Sequence, residues 1–299
     1  MAAPLVLDFD HSVGTLAGAT RLDLAQWQER IRFGSTLRTF RGFVGELQPR
    51  LPRDYGTVLL GSGDYHHLSW PLIQWQAAQG PLEVVVFDNH PDNMRFPWGI
   101  HCGSWVRRVA ALPGVSRVHV LGISSGDVGL AHAWENHLAP LWRGRLEYWT
   151  VGVDVGWMRR AGLARASHAF DTPAALLDAF GERQRAATTP VYLSIDKDVL
   201  SADVARTNWD QGRFAEADLA RGIGLLAGRL VGSDITGEVS QYRYRTWWKR
   251  RLSALDEQPV IDAGELAQWQ AQQHALNLRL LACIEAALQP RAAERWRSR

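Results

Sequence analysis

The stretch LEVVVFDNHPD, residues 82–92, joins a run of apolar residues to a polar, acidic end. A continuous apolar run, as distinct from an alternating one, is typical of a strand that is covered on both faces in a parallel sheet. Ligands of open parallel sheets bind beyond the carboxyl ends of the strands. We therefore expect Asp88, His90 and Asp92 to lie at a functional site.

The same pattern recurs along the chain between longer amphipathic stretches. Apolar runs predict strands at 5–10, 57–64, 82–89, 117–122, 146–151, 191–198 and 232–239. Amphipathic stretches predict helices at 22–32, 70–78, 104–111, 131–142, 172–187, 216–230 and 264–288. This alternation indicates βαβ units and an α/β fold, a three-layer α/β/α sandwich with a mainly parallel central sheet. Because no linker, repeat or low-complexity segment interrupts residues 1–299, we expect a single domain.

Composition excludes several classes of protein. The 33 Lys and Arg residues against 31 Asp and Glu leave a net charge of +2, too little for a strong field toward nucleic acid or an anionic membrane. A hydrophobic content of 46% excludes disorder for most of the chain. Two cysteines, Cys102 and Cys283, cannot build a disulfide framework or a four-thiolate zinc site. Without a signal-peptide pattern or an apolar run of membrane-spanning length, we expect a cytoplasmic protein.

Three predicted strands end in carboxylates, at residues 61–64, 87–92 and 194–198. In extended backbone, residues i and i+2 point to the same side, so the last two segments each offer several polar side chains to one face. Carboxylates packed so closely repel one another unless cations lie among them, and oxygen ligands with a few imidazoles suit Mn²⁺, Fe²⁺, Co²⁺ or Zn²⁺. The alternative, in which each aspartate caps a following helix, explains one residue better than the whole set. The candidate ligands here are Asp88, His90, Asp92, Asp196 and Asp198.

In their order along the chain, these segments resemble the motifs of the ureohydrolases, the family of arginase and agmatinase. The Asp-Ala-His-x-Asp motif of that family is similar to DNHPD at 88–92, and its Ser-x-Asp-x-Asp motif is similar to SIDKD at 194–198. Its Gly-Gly-Asp-His motif is similar to SGDYHH at 62–67. The resemblance spans roughly residues 57–240.

The first motif leaves two candidate histidines. We interpret Tyr65 as an inserted residue and His66 as the metal ligand, because His66 precedes Pro71 by the interval found in agmatinases. His67 remains the alternative.

Two further segments are similar to the family. The segment GIHCG at 99–103 looks like a His-Gly segment whose histidine shuttles protons, which implies a catalytic role for His101. The segment EVS at 238–240 looks like one whose glutamate pairs with the guanidinium of the substrate, which implies that role for Glu238.

The resemblance implies a metal-dependent hydrolase that cleaves a carbon–nitrogen bond of a linear amidine, with two divalent ions, most often Mn²⁺. Two cations that share a water lower its pKa and supply hydroxide. Hydroxide would attack a guanidinium held by Glu238, while Asp92 orients it and His101 protonates the departing amine. Relatives are commonly trimers or hexamers, so we expect a homo-oligomer. The implied ligands are His66, Asp88, Asp92 and Asp196 for one ion and His90, Asp88, Asp196 and Asp198 for the other.

The segments that shape the substrate pocket depart from the family. Ser201 and Ala202 replace the usual Asp-Pro, residues 204–212 do not match the Gly- and Thr-rich loop, and Met94 holds the place of a substrate-contacting asparagine. We therefore favour a small guanidino or amidino substrate other than arginine or agmatine. An arginase-fold ligand-binding or regulatory protein with little catalysis is the alternative. On a strand, Lys197 should point away from the metals, toward the surface or a packed helix.

Two other polar clusters need an interpretation. The segment RYRTWWKRR at 243–251 mixes five cations with three aromatic residues. We expect a solvated surface or subunit interface there, with no nucleic acid bound, or a pocket mouth where Arg243 and Arg245 attract a substrate carboxylate. For the group Asp8, Asp10 and His11 we expect local capping.

Overall fold

The apolar runs form the strands of one parallel sheet. The computed structural model describes residues 2–255 and 261–288. Its strands are β1 (Leu5–Asp8), β2 (Thr20–Asp23), β3 (Gly34–Ser35), β4 (Val58–Ser62), β5 (Leu82–Phe87), β6 (Ile100–His101), β7 (Val115–Ile123), β8 (Leu146–Val151), β9 (Ser167–Phe170), β10 (Val191–Asp196) and β11 (Leu230–Glu238). Apart from the antiparallel pair β3–β6, the strands described form one sheet in the order β2-β1-β4-β11-β10-β5-β7-β8-β9, and all neighbours in it are parallel.

Helices cover both faces of this sheet. They are α1 (Gln28–Ile31), α2 (Leu37–Leu47), α3 (Ser69–Ala77), α4 (Val106–Ala110), α5 (Ala139–Trp142), α6 (Gly156–Arg160), α7 (Pro173–Gln184), α8 (Glu216–Leu225), α9 (Trp247–Leu255) and α10 (Ala263–Leu288). Helices α2, α3 and α4 contribute to the core on one face, and α7, α8 and α10 to the core on the other. The predicted three-layer α/β/α architecture is confirmed.

Strand β5 shows why a continuous apolar run belongs to the middle of such a sandwich. Val84 and Val86 point into the core beneath α2–α4, whereas Val85 and Phe87 point into the core beneath α7, α8 and α10. All four side chains are fully buried. Because successive strand residues face opposite layers, both sets of positions must be apolar.

The sequence reading missed elements at the edges of the sheet. Strands β2 and β9 are its two edge strands, and their residues are largely exposed or half-buried, so they lack the apolar run that identifies a central strand. The helix predicted at 22–32 is wrong at its start, because residues 20–23 pair with β1. The helix predicted at 131–142 is α-helical only over Ala139–Trp142. None of the helices described is long and apolar enough to span a bilayer.

Candidate metal centre

Four adjacent strands bring the candidate ligands to one edge of the sheet. Because β4, β11, β10 and β5 are neighbours and parallel, their carboxyl ends lie side by side. Two groups of side chains there place possible ligand atoms within 4.8 Å of one another. We call His66, Asp88 and Asp196 the inner half-site, and Asp88, His90 and Asp198 the outer half-site. Asp88 is common to both groups, as the resemblance implies, whereas Asp196 belongs to the inner group alone.

The inner half-site is arranged around one edge of the His66 ring. His66 Nδ1 lies 2.9 Å from Asp92 Oδ2, 3.2 Å from Asp88 Oδ2 and 3.4 Å from Asp196 Oδ2. The fourth expected ligand of this half-site, Asp92, is therefore also in place. All four side chains are buried.

A buried chain of hydrogen bonds sets the tautomer of His66. Its Nε2 lies 3.0 Å from Ser194 Oγ, and that hydroxyl donates to Asp234 Oδ1 at 2.7 Å. Since Ser194 donates to the carboxylate, its oxygen accepts the proton of His66 Nε2. Tyr192 and Ser69 also donate to Asp234, which holds the acceptor in place. The ring of His66 is therefore oriented with Nδ1 toward the carboxylates, the orientation in which this nitrogen can ligate a metal.

The outer half-site is built in the same way but closer to solvent. His90 Nδ1 lies 3.0 Å from Asp198 Oδ2 and 3.6 Å from Asp88 Oδ1. On the other edge of the ring, Nε2 lies 2.6 Å from Asp210 Oδ1. Asn89 Nδ2 donates to both the side chain and the backbone carbonyl of Asp210, at 3.0 Å each. Asp210 thus fixes the proton on Nε2 and turns Nδ1 toward the cluster.

The structure distinguishes the two candidate histidines of the first motif. His66 enters the inner half-site, whereas the His67 ring packs against Phe40 at a centroid distance of 5.5 Å. Tyr65 stacks on Phe9 at 4.3 Å in the core. The 3₁₀ turn Gly63–Leu68 allows this arrangement, because its tight winding sends consecutive side chains in different directions.

The charges of the cluster fit divalent cations. Burial and the neighbouring Asp88 raise the pKa of Asp92 to about 6 and that of Asp198 to about 7. Asp88 Oδ2 is buried and accepts no hydrogen bond among the described residues, although His66 Nδ1 lies 3.2 Å away. Although burial opposes it, the neighbouring Asp88 and Asp92 raise the pKa of His66 well above its usual range, so a proton on Nδ1 fills the position that a cation would take. The donor set of carboxylates and imidazoles suits a Mn²⁺-like ion.

Asp92 occupies a strained backbone position. Its φ angle is +45°, which is unfavourable for a residue with a Cβ atom. The position is held by Trp105 Nε1, which donates to Asp92 Oδ2 at 2.6 Å, and by the backbone of Val106, which donates to the Asp92 carbonyl. Strain that is maintained by its surroundings is typical of functional sites.

A cavity of about 370 Å³ opens above the two half-sites and includes His101 in its wall. His101 Nδ1 accepts a hydrogen bond from the Gly103 backbone at 3.0 Å, and burial lowers the pKa of the ring to about 4. The ring is therefore neutral at pH 7 and carries its proton on Nε2. Besides the candidate ligands, the wall includes Asp127 and the aromatic rings of Phe33 and Trp209.

The structure does not bring Glu238 into this cavity. Glu238 is 1% exposed, and its Oε1 lies 2.6 Å from Lys197 Nζ and accepts a hydrogen bond from Asn277 on α10. Lys197 is fully buried and also donates to Asn277 at 3.0 Å. Lys197 thus points away from the ligands, as expected, and toward a packed helix, not the surface. These contacts engage Oε1, and Oε2 has no hydrogen-bond partner among the described residues, so the pairing of Glu238 with a substrate guanidinium stays a prediction.

The basic and aromatic segment at 243–251 does not bring its first two arginines to the mouth of the cavity, which was one of the expectations for it. Arg243 and Arg245 are exposed and do not line the cavity, whereas Leu252 on α9 does. Glu29 anchors the start of α9 by accepting hydrogen bonds from the backbone and hydroxyl of Thr246. Arg243 and Arg245 are therefore not at the pocket mouth.

The group Asp8, Asp10 and His11 near the first strand makes the local capping contacts that we expected, and one contact to a residue distant in sequence. Asp8 accepts a hydrogen bond from the His11 backbone at 2.9 Å, and Asp10 accepts one from Ser12. Asp10 also pairs with the buried Arg32, whose Nε donates to Asp64 at 2.7 Å. The aspartate of the first motif thus faces Arg32.

Sequence reasoning missed the residues that orient the two histidines. Asp210 lies on a loop between β10 and α8, and Asp234 lies within β11. The pattern of alternating acids that identified the ligands contains no signal for either residue, because their contacts depend on which segments are neighbours in the fold.

A parallel α/β/α sandwich with paired aspartate and histidine clusters at its carboxyl edge is the architecture expected for a ureohydrolase. Residues 50–207, more than half of the chain, match the model of the arginase family. The chain belongs to the arginase family. It is 28% identical over 221 residues to an uncharacterized protein of Thermotoga maritima, a match that covers 74% of this chain and 72% of that protein.

Solved structures share the fold at low identity. Formimidoylglutamase from Bacillus subtilis is similar with a TM-score of 0.55 at 14% identity, over 96% of this chain and 87% of that chain. A hypothetical agmatinase from Burkholderia thailandensis is similar with a TM-score of 0.53 at 16% identity, also over 96% of this chain and 87% of that chain. Proclavaminate amidino hydrolase from Streptomyces clavuligerus is similar with a TM-score of 0.51 at 16% identity, over 96% of this chain and 93% of that chain.

Proposed function

We propose that this protein is a metal-dependent hydrolase that cleaves a carbon–nitrogen bond of a guanidino or amidino compound. The observation that carries the proposal is the pair of half-sites that share Asp88, in which both histidines present Nδ1 to buried carboxylates. Structures with the same fold are named for agmatinase, formimidoylglutamase and amidino hydrolase activities, which supports this class of substrate.

Two divalent ions, Mn²⁺ by family resemblance, would occupy the half-sites. When bound, such ions acidify water and so supply a nucleophile at neutral pH. The inner ion would be held by His66, Asp88, Asp92 and Asp196, and the outer ion by Asp88, His90 and Asp198.

The other residues of the cavity bind and orient the substrate and move protons. His101 is neutral at pH 7, so its ring can take up a proton and deliver it to the departing amine. Asp92, whose Oδ2 accepts a hydrogen bond from Trp105, would orient the nucleophile. With Glu238 paired to Lys197, recognition of the planar cation falls to Asp127 and to the face of Trp209.

One observation favours the second candidate function, a ligand-binding protein of the arginase fold with little catalysis. The carboxylate that the family resemblance assigns to the substrate guanidinium is occupied by Lys197. A metal-bound protein that holds an amidine without hydrolysing it is consistent with that contact. We also propose a cytoplasmic homo-oligomer, as is common among proteins with these motifs.

The test is a screen for urea and ammonia release. Protein stripped with a chelator and reloaded with Mn²⁺ is assayed against guanidino and formimino compounds of acidic, basic and neutral character. We expect release from at least one, lost on chelation and in Asp88→Asn. If the protein binds two ions per chain and releases nothing above the Asp88→Asn background, the hydrolase proposal is wrong and the ligand-binding function replaces it.

A further inference from the structure

A second cavity lies beside the one above the metal half-sites. It has a volume of about 520 Å³, and Arg251 is the one charged residue among those that line it in the described part of the chain. We call it the tryptophan groove. Its wall includes Phe96, Trp98, Trp247, Trp248, Arg251 and Leu252.

The tryptophan groove adjoins the candidate active site. Phe96, Trp98 and Leu252 line both cavities. The ring of Phe96 lies 4.5 Å from that of His101 on one side and 6.4 Å from that of Trp248 on the other. A molecule that reaches past His101 therefore enters the groove without crossing a polar barrier.

Two of the large apolar side chains that line the groove are exposed to solvent. Trp98 is 72% exposed and Trp247 is 69% exposed. A single exposed tryptophan needs no explanation, but two that border one apolar cavity at the mouth of a candidate active site indicate a surface that a ligand covers. Because this cavity shares three wall residues with the one above the metal half-sites, a single elongated substrate can reach both.

We infer that the substrate carries an apolar alkyl or aryl tail, which lies in the tryptophan groove while its amidine or guanidine end reaches the metal half-sites. This inference rests on the proposed function, since it assigns the far end of the same substrate.

The test measures binding, not turnover. The Mn²⁺-loaded protein is titrated calorimetrically with n-alkylguanidines of increasing chain length. We expect the affinity to rise by about two- to fourfold per methylene until the groove is filled. Trp98→Ala and Trp247→Ala should each reduce that slope, and both side chains are so exposed that the substitutions leave folding unchanged. The matched control is Trp134→Ala, since Trp134 is 71% exposed but lines neither cavity.

The outcomes separate this inference from the proposed function. If short guanidines are hydrolysed but affinity is independent of chain length, the hydrolase stands and the tail inference is wrong. Neutral n-alkanols of the same lengths probe the groove without a cationic end. Alkanol binding that is lost in Trp98→Ala supports the groove as the apolar subsite even if no guanidine is hydrolysed. If instead Trp98→Ala and Trp247→Ala change the oligomeric state and leave the chain-length slope intact, the groove is a contact between copies and the inference is overturned.

Discussion

Each half-site has a histidine oriented by a hydrogen bond to its Nε2 atom, but the partner is buried in one half-site and exposed in the other. In the inner half-site, the ring of His66 is fixed through Ser194 and Asp234, which belong to the central strands β10 and β11 and are fully buried. In the outer half-site, the ring of His90 is fixed by Asp210, a loop residue whose side chain is 65% exposed.

If two ions bind as proposed, the difference predicts that they are held unequally. Orientation of a histidine by its outer hydrogen bond is a large part of a site's affinity. The inner ring is fixed by the core, so the inner half-site should keep its geometry whether or not the loop moves. The outer ring depends on the loop that carries Asp210, so the outer ion should be the first to leave. The following predictions test that contrast.

The largest effect should follow from Asp88→Asn, because Asp88 belongs to both half-sites. We expect both ions to be lost and hydrolysis to fall to background, as measured by metal content after gel filtration and by product release. Asp127→Asn is the matched control for metal content alone, since Asp127 lines the cavity outside both half-sites and is assigned to the substrate. Retention of two ions in Asp88→Asn would show that Asp88 is not shared.

The two histidines should differ when each is truncated. His90→Ala should lose the outer ion alone, with little change in the stability of the metal-free protein, because the outer ring is closer to solvent. His66→Ala should lose the inner ion and also destabilise the metal-free fold by about 1–3 kcal/mol, since Ser194 and its neighbours lose a buried partner. Urea denaturation in the presence of a chelator measures the difference. Equal stability losses would remove the contrast between the half-sites.

In the sequence, Lys197 lies between Asp196 of the inner half-site and Asp198 of the outer one, but its charge pairs with Glu238. Lys197→Met should leave Glu238 buried without a counter-charge and cost about 3–5 kcal/mol in the free energy of unfolding. The double variant K197M/E238Q removes both charges and should recover most of that loss, with two ions still bound. Failure of the double variant to bind metal would show that the ion pair also sets the ligand geometry.

Substitution of the residues that bond to Nε2 of each histidine, Asp210 and Ser194, should have the smallest effects on metal binding. Asp210→Asn should weaken binding of the outer ion by about 10–100-fold without changing the stability of the metal-free fold. Ser194→Ala should weaken the inner ion by a similar factor and also lower stability, because it leaves Asp234 without one of its donors. Calorimetric titration with Mn²⁺, combined with thermal unfolding of the chelated proteins, distinguishes the two patterns.

The ligands could be predicted from the sequence because they follow a local rule. Asp88, His90, Asp196 and Asp198 lie at alternate positions at or just beyond the ends of buried strands, and a parallel sheet brings such ends together. The central strands were predictable for the same reason, since burial on both faces leaves a continuous apolar run. The edge strands were not, because one side of each is solvated.

The partners of those ligands depend on long-range contacts and left no pattern to read. Glu238 meets Lys197 only because β10 and β11 are adjacent, and Asn277 reaches the pair from α10. The same is true of Asp210, which reaches His90 across a loop. A motif can therefore identify a ligand type, but it does not tell which neighbouring charge the fold places beside a given carboxylate.

The most direct test of a two-ion centre with unequal halves is the metal content of wild type and His90→Ala after reloading with Mn²⁺ and removal of free metal. We expect two ions per chain in the wild type and one in His90→Ala, with the wild type losing its first ion to a chelator faster than its second. A single ion in the wild type, or none in His90→Ala, would contradict this expectation.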